Sequence, residues 1–128
     1  MFTIRISKIK NKNYQKALDL LEGPSEKQSA ETLFSRGFCF IKERRYLKSL
    51  KYLTRAIKKK PNYFHALKYA GIAHYKLENL NRCQTYWQQA LMLKNDDRLI
   101  NKYYPEVIER MLKQKVLLGK KQLVEQLN

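Results

Sequence analysis

The sequence predicts an all-α protein, and three observations lead to that prediction. The chain has 128 residues, of which only four are glycine and three are proline. Because these two residues most often interrupt regular structure, their scarcity favours long helices over many short strands. Apolar residues recur at steps of three and four along most of the chain, which is the spacing of one helix face. Hydrophobic residues make up 44% of the chain, enough for the core of a single domain without disulfides.

A repeat of 34 residues organises the middle of the chain. Residues 30–63 and 64–97 are equally long and follow one another without a gap. Such a period is typical of stacked helix pairs. The alignment joins residues of similar size or chemistry: Gly37 with Gly71, Leu33 with Leu67, Leu53 with Trp87, Ala56 with Ala90, Ser49 with Cys83, and Phe40 with His74.

Each unit divides into two helices. In the first unit, one apolar stripe runs through residues 33–41, a polar break covers residues 42–45, and a second stripe covers residues 46–57. Pro61 ends the second helix, because proline cannot continue a helix and restricts the residue before it. We expect the glycines and alanines to mark the points where paired helices cross closely, since larger side chains would hold the backbones apart.

The flanking segments are predicted to complete the stack, because two repeats rarely bury enough surface alone. NYQKALDLLEG, which begins at Asn13, aligns with RYLKSLKYLTR of the first unit. Residues 1–29 are therefore predicted to be a degenerate first repeat, closed by Gly23 and Pro24. Residues 2–10 suit either a short helix or an extended segment.

At the other end, residues 98–128 are predicted to form a capping helix and tail. Asp96 is the expected N-cap of a segment that contains Leu99, Ile100 and Tyr103. The capping helix is expected to begin after Pro105 and to pack through Val107, Ile108, Met111 and Leu112.

A 34-residue helix–turn–helix with this order of small, aromatic and proline positions resembles the tetratricopeptide repeat (TPR). The resemblance covers residues 30–97. It departs from the family pattern at Arg36, where an apolar residue is usual, and at Asn95, which replaces the terminal proline of the second unit. It implies a short right-handed superhelix of antiparallel helix pairs with a C-terminal capping helix.

The chain is strongly basic, with 27 lysines and arginines against 11 acidic residues, a net charge of +16. Such a charge favours nucleic acid, anionic lipid or an acidic protein as partner. The abundance of Lys, Asn, Ile and Tyr also fits a genome rich in A and T, so a functional and a compositional explanation both stand. The basic run in the first unit is either a solvated helix face or a polyanion site: Arg44, Arg45, Lys48, Lys51, Arg55, Lys58, Lys59 and Lys60.

The sequence lacks the patterns of a catalytic or metal site, so we predict a non-enzyme without cofactor or metal. Cys39 and Cys83 have no metal-ligand spacing and are expected to be free buried thiols in a reducing compartment. His74 takes a position that an aromatic residue holds, which favours packing. A Cys39–His74 pair would lack an orienting third group.

No segment approaches the ~20 apolar residues that cross a bilayer, and the first ten residues lack a signal-peptide core. We expect a cytoplasmic protein, either free or peripheral to a membrane-bound assembly.

The resemblance also implies a binding surface, because the first helix of each pair lines a concave groove in this family. Groove positions face solvent in an isolated superhelix, yet here they are mostly aromatic or aliphatic, which is typical of an interaction site. A peptide or amphipathic helix of a partner protein would fit, with the lysines contacting its acidic residues. The predicted groove residues are Phe34, Phe38, Ile41, Lys42, Lys68, Tyr69, Ile72, Tyr75 and Lys76. Phe34, Phe38 and Tyr69 occupy positions with which some family members hold a C-terminal carboxylate, so that mode is not expected.

Two functions from different classes follow. The first is an adaptor, scaffold or chaperone that binds a protein segment in the groove; small members of the family serve secretion, flagellar and envelope assemblies. The second is a basic protein that binds nucleic acid or anionic membrane surfaces. Groove binding should tolerate salt, whereas polyanion binding should weaken by orders of magnitude between ~50 and ~200 mM salt. The chain's own termini or a second copy of the chain are alternative occupants of the groove.

Overall fold

A computed structural model of the chain describes residues 27–127. In this range the chain forms five helices: α1 (Ala30–Lys42), α2 (Tyr46–Lys59), α3 (Phe64–Lys76), α4 (Leu80–Leu93) and α5 (Arg98–Leu127). The prediction of an all-helical fold is confirmed. The predicted degenerate repeat, including Gly23 and Pro24, lies outside the described residues except for its last three positions.

Helices that are neighbours in sequence pack on one another from α1 to α5, and α1 also contacts α3. Two clusters of buried side chains follow this order. The first joins α1, α2 and the alanine face of α3 around Leu33 and Leu53. The second joins α3, α4 and the first half of α5 around Leu67, Trp87 and Ile100. Each helix pair therefore buries one face internally and another against the next pair.

The 34-residue period is present in the backbone itself. Arg44 and Glu78, which are 34 positions apart, are the residues with positive φ among those described, at 60° and 61°. Each follows the end of the first helix of its unit. The next N–H folds back to the helix in both units, from Arg45 to the Phe40 carbonyl (2.9 Å) and from Asn79 to the His74 carbonyl (2.8 Å). The two turns thus share one geometry.

Two helices begin at side-chain caps. Ser29 Oγ accepts a hydrogen bond from the Thr32 N–H at 3.1 Å, and Asp97 Oδ1 accepts one from the Ile100 N–H at 3.0 Å. The prediction of Asp96 as the second cap is wrong by one residue. Asp97 is selected because its other oxygen also accepts a hydrogen bond from Lys68 of α3, at 2.8 Å, whereas Asp96 is exposed.

Helix α5 continues through Pro105, so the prediction that the capping helix begins after this proline is wrong. Pro105 has no N–H for the Asn101 carbonyl, but both residues are exposed and water can take that place. The first half of α5 buries Val107 completely, whereas Leu112, expected in the cap, is 59% exposed. Within residues 27–127, no helix is both long and apolar enough to cross a membrane.

Candidate functional site

Three of the predicted groove residues are buried rather than solvent-facing: Phe34, Phe38 and Ile41 are only 4%, 8% and 8% exposed. The Phe34 ring lies 5.3 Å from Tyr63 and 5.8 Å from Tyr69, and the Phe38 ring lies edge-on to Tyr69 at 5.1 Å. These ring contacts join α1 to α3 and to Tyr63, which directly precedes α3. The expectation that these three positions face solvent is therefore wrong. For Phe34 and Phe38 the reason is that Tyr69 of the second repeat packs against both rings.

Ile72 and Tyr75 of the predicted groove line an open cavity of about 360 Å³ between α3 and α5, which we call the α3–α5 pocket. Ile72, Tyr75 and Leu99 are each half-buried, so part of each apolar side chain still contacts solvent. Trp87 of α4 is fully buried and forms the floor. The lining residues are Ile72, Tyr75, Lys76, Trp87, Leu99 and Tyr103.

Leu99 and Tyr103 were not among the predicted groove residues, although the sequence contains the signal. A third application of the 34-residue period places Leu99 on His65 and Tyr103 on Tyr69. His65 and Tyr69 both lie on α3, and Tyr69 is a predicted groove residue. The expected boundary at Pro105 hid this correspondence. The first half of α5 therefore stands where the first helix of a further repeat would stand.

The wall of the α3–α5 pocket is held in place by contacts on three sides of Tyr75. Its ring stacks on Trp87 at 5.8 Å and contacts Tyr103 at 5.7 Å, and its hydroxyl donates to Glu106 at 3.1 Å. Burial and the hydrogen bond to Glu106 raise the pKa of Tyr75. The indole N–H of Trp87 donates to the Lys68 carbonyl at 3.0 Å. A pocket built this way needs little rearrangement to receive a ligand.

The three lysines of the predicted groove differ in their surroundings. Lys42 and Lys76 are exposed. Lys68 instead forms a largely buried ion pair with Asp97 at 2.8 Å. Burial alone would raise the pKa of Asp97, but the hydrogen bonds from Lys68 and from the Ile100 N–H lower it below its ordinary value. Lys68 is therefore held in a structural ion pair. Lys42 and Lys76 are the two lysines of the predicted groove that are exposed.

Part of the basic run surrounds a stacked pair of rings, those of Phe40 and Tyr52, which lie 5.5 Å apart at an interplanar angle of 11°. Cationic groups lie over both rings. We call the five residues that carry them the basic cluster. Arg36, Lys51 and Arg55 lie 4.2, 5.8 and 5.9 Å from the centroid of the Tyr52 ring. Lys48 and Arg45 lie 5.0 and 5.1 Å from the centroid of the Phe40 ring.

Arg36 is the member of the basic cluster that sequence reasoning missed. It also donates to the Tyr52 hydroxyl at 3.0 Å. Its signal was the departure from the repeat pattern, in which an apolar residue is usual at this position. The other four members belong to the predicted polyanion set.

The remaining residues of that set lie elsewhere. Lys59 and Lys60 are at the C-terminal end of α2, where Lys60 Nζ is 3.5 Å from the Glu31 carboxylate. Arg44 occupies the turn between α1 and α2, and Lys58 is exposed. The structure thus gathers half of the predicted polyanion residues and separates the rest.

The residues considered for thiol chemistry are in the core. Burial raises the pKa of the Cys39 thiol to about 11 and that of Cys83 to about 12, so both are protonated at neutral pH and are poor nucleophiles. His74 stacks on Tyr86 at 5.6 Å and 9°, as Phe40 stacks on its own partner in the first unit. His74 packs as an aromatic residue. Among residues 27–127, no three His, Cys, Asp or Glu side chains gather as metal ligands.

Comparison with known proteins shows the fold. No protein-family model and no curated protein sequence matches the chain. Among solved structures, the chain is similar to the Sgt2 TPR domain from Aspergillus fumigatus, with a TM-score of 0.70 and 14% sequence identity. The match covers 81% of this chain and 72% of that one. The chain therefore has a TPR-like fold, which confirms the resemblance that its repeat predicts.

Proposed function

We propose that the protein is an interaction adaptor, scaffold or chaperone that binds a peptide or amphipathic helix of a partner protein at the α3–α5 pocket. One observation carries the proposal: an apolar cavity of about 360 Å³ stays open between α3 and α5, above the buried indole of Trp87. Its half-buried side chains lose further solvent contact only if a ligand covers them. Burying such apolar surface is the main source of affinity in protein recognition.

The dimensions and chemistry of the pocket favour a protein side chain as its ligand. The volume lies near the lower end of the range for small-molecule sites, about 300–1,000 Å³. The polar groups at hand are few: the Tyr75 hydroxyl already donates to Glu106, and Lys76 stands at the rim. One or two apolar side chains of a partner fit this description, with an acidic residue placed near Lys76.

The position of the pocket in the fold supports the same proposal. Ile72, Tyr75 and Lys76 lie on α3, the first helix of its pair, which lines the groove in proteins of this fold. Helix α5 forms the opposite wall through Leu99 and Tyr103 instead of filling the space. An adaptor, a scaffold and a chaperone would each use this pocket to hold a segment of the partner.

The test is quantitative capture from a nuclease-treated lysate at high salt, which removes polyanion-mediated binding. Ile72→Lys places a charge in the pocket, and Gln88→Lys places the same charge on the exposed face of α4. We expect a protein that is retained by wild type and by Gln88→Lys but lost from Ile72→Lys. Far-UV circular dichroism checks that all three proteins are equally helical. Equal retention by both variants would refute the proposal.

The basic cluster favours a second candidate function, the binding of nucleic acid or anionic lipid. Each of its five cationic groups lies 4.2 to 5.9 Å from the centroid of one of two adjoining rings. A phosphate group placed there would therefore meet several positive charges. Binding of this kind would be weakly specific, since the cluster offers no set of groups that reads base edges.

The two functions are separated by salt and by a neutralising variant. Single-stranded RNA or anionic vesicles bound through the basic cluster should be released steeply between ~50 and ~200 mM salt. Lys48→Gln/Lys51→Gln should reduce the slope of that dependence, whereas Lys113→Gln/Lys115→Gln removes the same charge from α5 as a control. Equal effects of the two double variants would show that net charge alone is responsible.

A further inference from the structure

The second half of α5 exposes an unusual number of apolar side chains. Every residue from Leu112 to Leu127 is exposed, over a helix length of about 24 Å. An isolated helical segment in water normally presents polar residues on all sides. In this segment, the large aliphatic residues exposed by more than half of their surface are Leu112, Val116, Leu117, Leu118, Leu123, Val124 and Leu127.

Four of the positions in this segment form a regular seam. Leu112, Val116, Gly119 and Leu123 follow one another at steps of four, three and four residues, which is the spacing of a two-helix contact. We call these four residues the C-terminal seam. Gly119 has open space around its α-carbon, since no atom lies within 4 Å of the position that a Cβ would occupy there. A partner helix could therefore approach closely at that point.

The C-terminal seam is not a continuation of the face that packs α5 on the repeats. Ile100 and Val107, the buried residues of α5, are seven positions apart. The same step continues to Gln114 and Lys121, which are polar and exposed. The apolar surface thus moves to another side of the helix once α5 leaves the stack. This change of face indicates a second docking surface, since no further packing on the repeats would require it.

The charges beside the seam identify the kind of partner. Lys113 and Lys120 follow seam positions, and Lys115 precedes one. Residues 112–124 contain no acidic residue. In a pair of helices, the residues that flank the seam meet those of the partner. Two copies of this segment would bring lysine against lysine in either relative orientation, so the charge disfavours self-pairing.

We propose that the projecting half of α5 docks an amphipathic helix of another protein, with aliphatic residues along its seam and Glu or Asp at the flanking positions. A bilayer surface is a poorer match. Lys113 and Lys120 separate the C-terminal seam from the neighbouring apolar pair Leu117 and Val124, which leaves two narrow bands instead of one broad apolar arc. This site is independent of the α3–α5 pocket.

The test uses a synthetic helix as the probe. The peptide has about three heptads, with Leu along the seam and Glu at the flanking positions. A scrambled peptide of the same composition controls for simple attraction to a chain of charge +16. Binding to the full chain is measured by fluorescence anisotropy. We expect the designed peptide to bind about tenfold or more tightly than the scrambled peptide, because only the former presents an apolar seam.

Matched variants locate the binding. Val116→Glu/Leu123→Glu disrupts the C-terminal seam, and Gln114→Glu/Leu118→Glu adds the same two charges on other sides of the same segment. All four positions are exposed, so neither variant should unfold the repeats. We expect the seam variant to lose the designed peptide by about tenfold or more, as the loss of two apolar contacts implies, and the control variant to keep it. Ile72→Lys should have no effect, which separates this site from the α3–α5 pocket.

Three results would overturn the proposal. Equal binding of designed and scrambled peptides, or equal effects of the two Glu variants, would reduce the interaction to net charge. A dimer of the wild-type chain in analytical ultracentrifugation that Val116→Glu/Leu123→Glu abolishes would make a second copy the occupant. Binding to vesicles containing phosphatidylserine that depends on the same two residues, without binding to the designed peptide, would make the occupant a membrane surface.

Discussion

The indole of Trp87 lies directly over the α-carbon of Gly71. A Cβ at Gly71 would overlap indole atoms Cδ1 and Nε1, closer than real Cβ contacts occur. In the first repeat, a Cβ at Gly37 would stand 2.6 Å from the side chain of Leu53. Both helix pairs therefore cross at a glycine, and in both the large residue above it comes sixteen positions later.

Gly71→Ala should lower the free energy of unfolding more than Gly37→Ala. An added Cβ would overlap the Trp87 ring more deeply than it would overlap Leu53. The ring is rigid, buried and bonded through its N–H to the Lys68 carbonyl, so it yields less easily than the smaller Leu53 side chain. We expect losses of about 3 and about 1 kcal/mol, respectively, as overpacking of a core costs. Urea denaturation followed by the fluorescence of Trp87 measures both. A loss at Gly37 equal to or larger than that at Gly71 would contradict this description of the two crossings.

Gly119→Ala, in contrast, should stabilise the helix in which it lies. Gly119 lies inside α5 with nothing within 4 Å of an added Cβ, and alanine favours a helix over glycine by about 1 kcal/mol. Hydrogen exchange of the amides in residues 112–127 should slow, with little change in the global unfolding midpoint. Faster exchange in this segment would show that α5 does not continue as a helix there.

His74→Phe should stabilise the protein. His74 is 7% exposed, stacks on Tyr86, and has a buried Nδ1 without a hydrogen-bond partner. The first repeat has Phe40 at the equivalent position. Replacing the histidine removes an unsatisfied polar atom, which costs about 1–3 kcal/mol. Thermal denaturation at pH 8 measures the gain, and a lower melting temperature for the variant would contradict this reading of the site.

The same histidine should make stability depend on pH. Burial and the nearby charge of Arg82 lower the pKa of His74 from its ordinary 6.5, so below that pH the unfolded chain binds more protons than the folded chain. Stability should therefore be complete above about pH 6.5 and fall as the pH drops towards the lowered value. Burial and Lys68 also lower the pKa of His65. His74→Phe should therefore reduce the dependence of stability on pH. His65→Asn/His74→Phe should abolish it between pH 5 and 7, because histidine is the side chain that ordinarily titrates in this range.

Asp97 should contribute to stability both as a cap and as an ion-pair partner. Asp97→Asn keeps an oxygen for the Ile100 N–H but removes the charge that pairs with Lys68. We expect it to cost about 1–2 kcal/mol, and Asp97→Ala about 1 kcal/mol more because the cap is lost too. Urea denaturation at neutral pH should give the order wild type, Asn, Ala.

Acid provides the control for the ion pair. The pKa of Asp97 is lowered from its ordinary 3.8, so its charge-dependent contribution is present above that pH and is lost as the pH falls through the lowered value. The difference between wild type and Asp97→Asn should therefore shrink below pH 4. A difference that stays constant down to pH 2 would show that the carboxylate charge is not responsible.

Local spacing was sufficient to predict the repeat and what depends on it. The close approach at Gly37 and Gly71 and the packing role of His74 follow from residues that recur at a fixed interval. The backbone conformation repeats at the same 34-residue interval, since Arg44 and Glu78 both have positive φ at equivalent positions. These features are set within one helix pair, where the sequence alone defines which residues meet.

Features set between helix pairs could not be predicted in this way. Phe34 and Phe38 were expected to face solvent, but their burial depends on rings such as Tyr69 that arrive from the next repeat. The choice of Asp97 over Asp96 depends on Lys68, 29 residues earlier. The pocket itself needs the first half of α5, whose continuation through Pro105 depends on the exposure of Pro105 and Asn101 in the folded chain.

Site-specific photo-cross-linking provides the decisive test of whether the α3–α5 pocket receives a partner protein. A benzophenone amino acid replaces Tyr103 at the pocket or, in a matched protein, Gln88 on the exposed face of α4. We expect one discrete protein adduct from position 103 in a nuclease-treated lysate, absent from position 88 and lost when Ile72→Lys is added. Adducts that are the same from both positions, or that survive Ile72→Lys, would contradict the proposed role of the pocket.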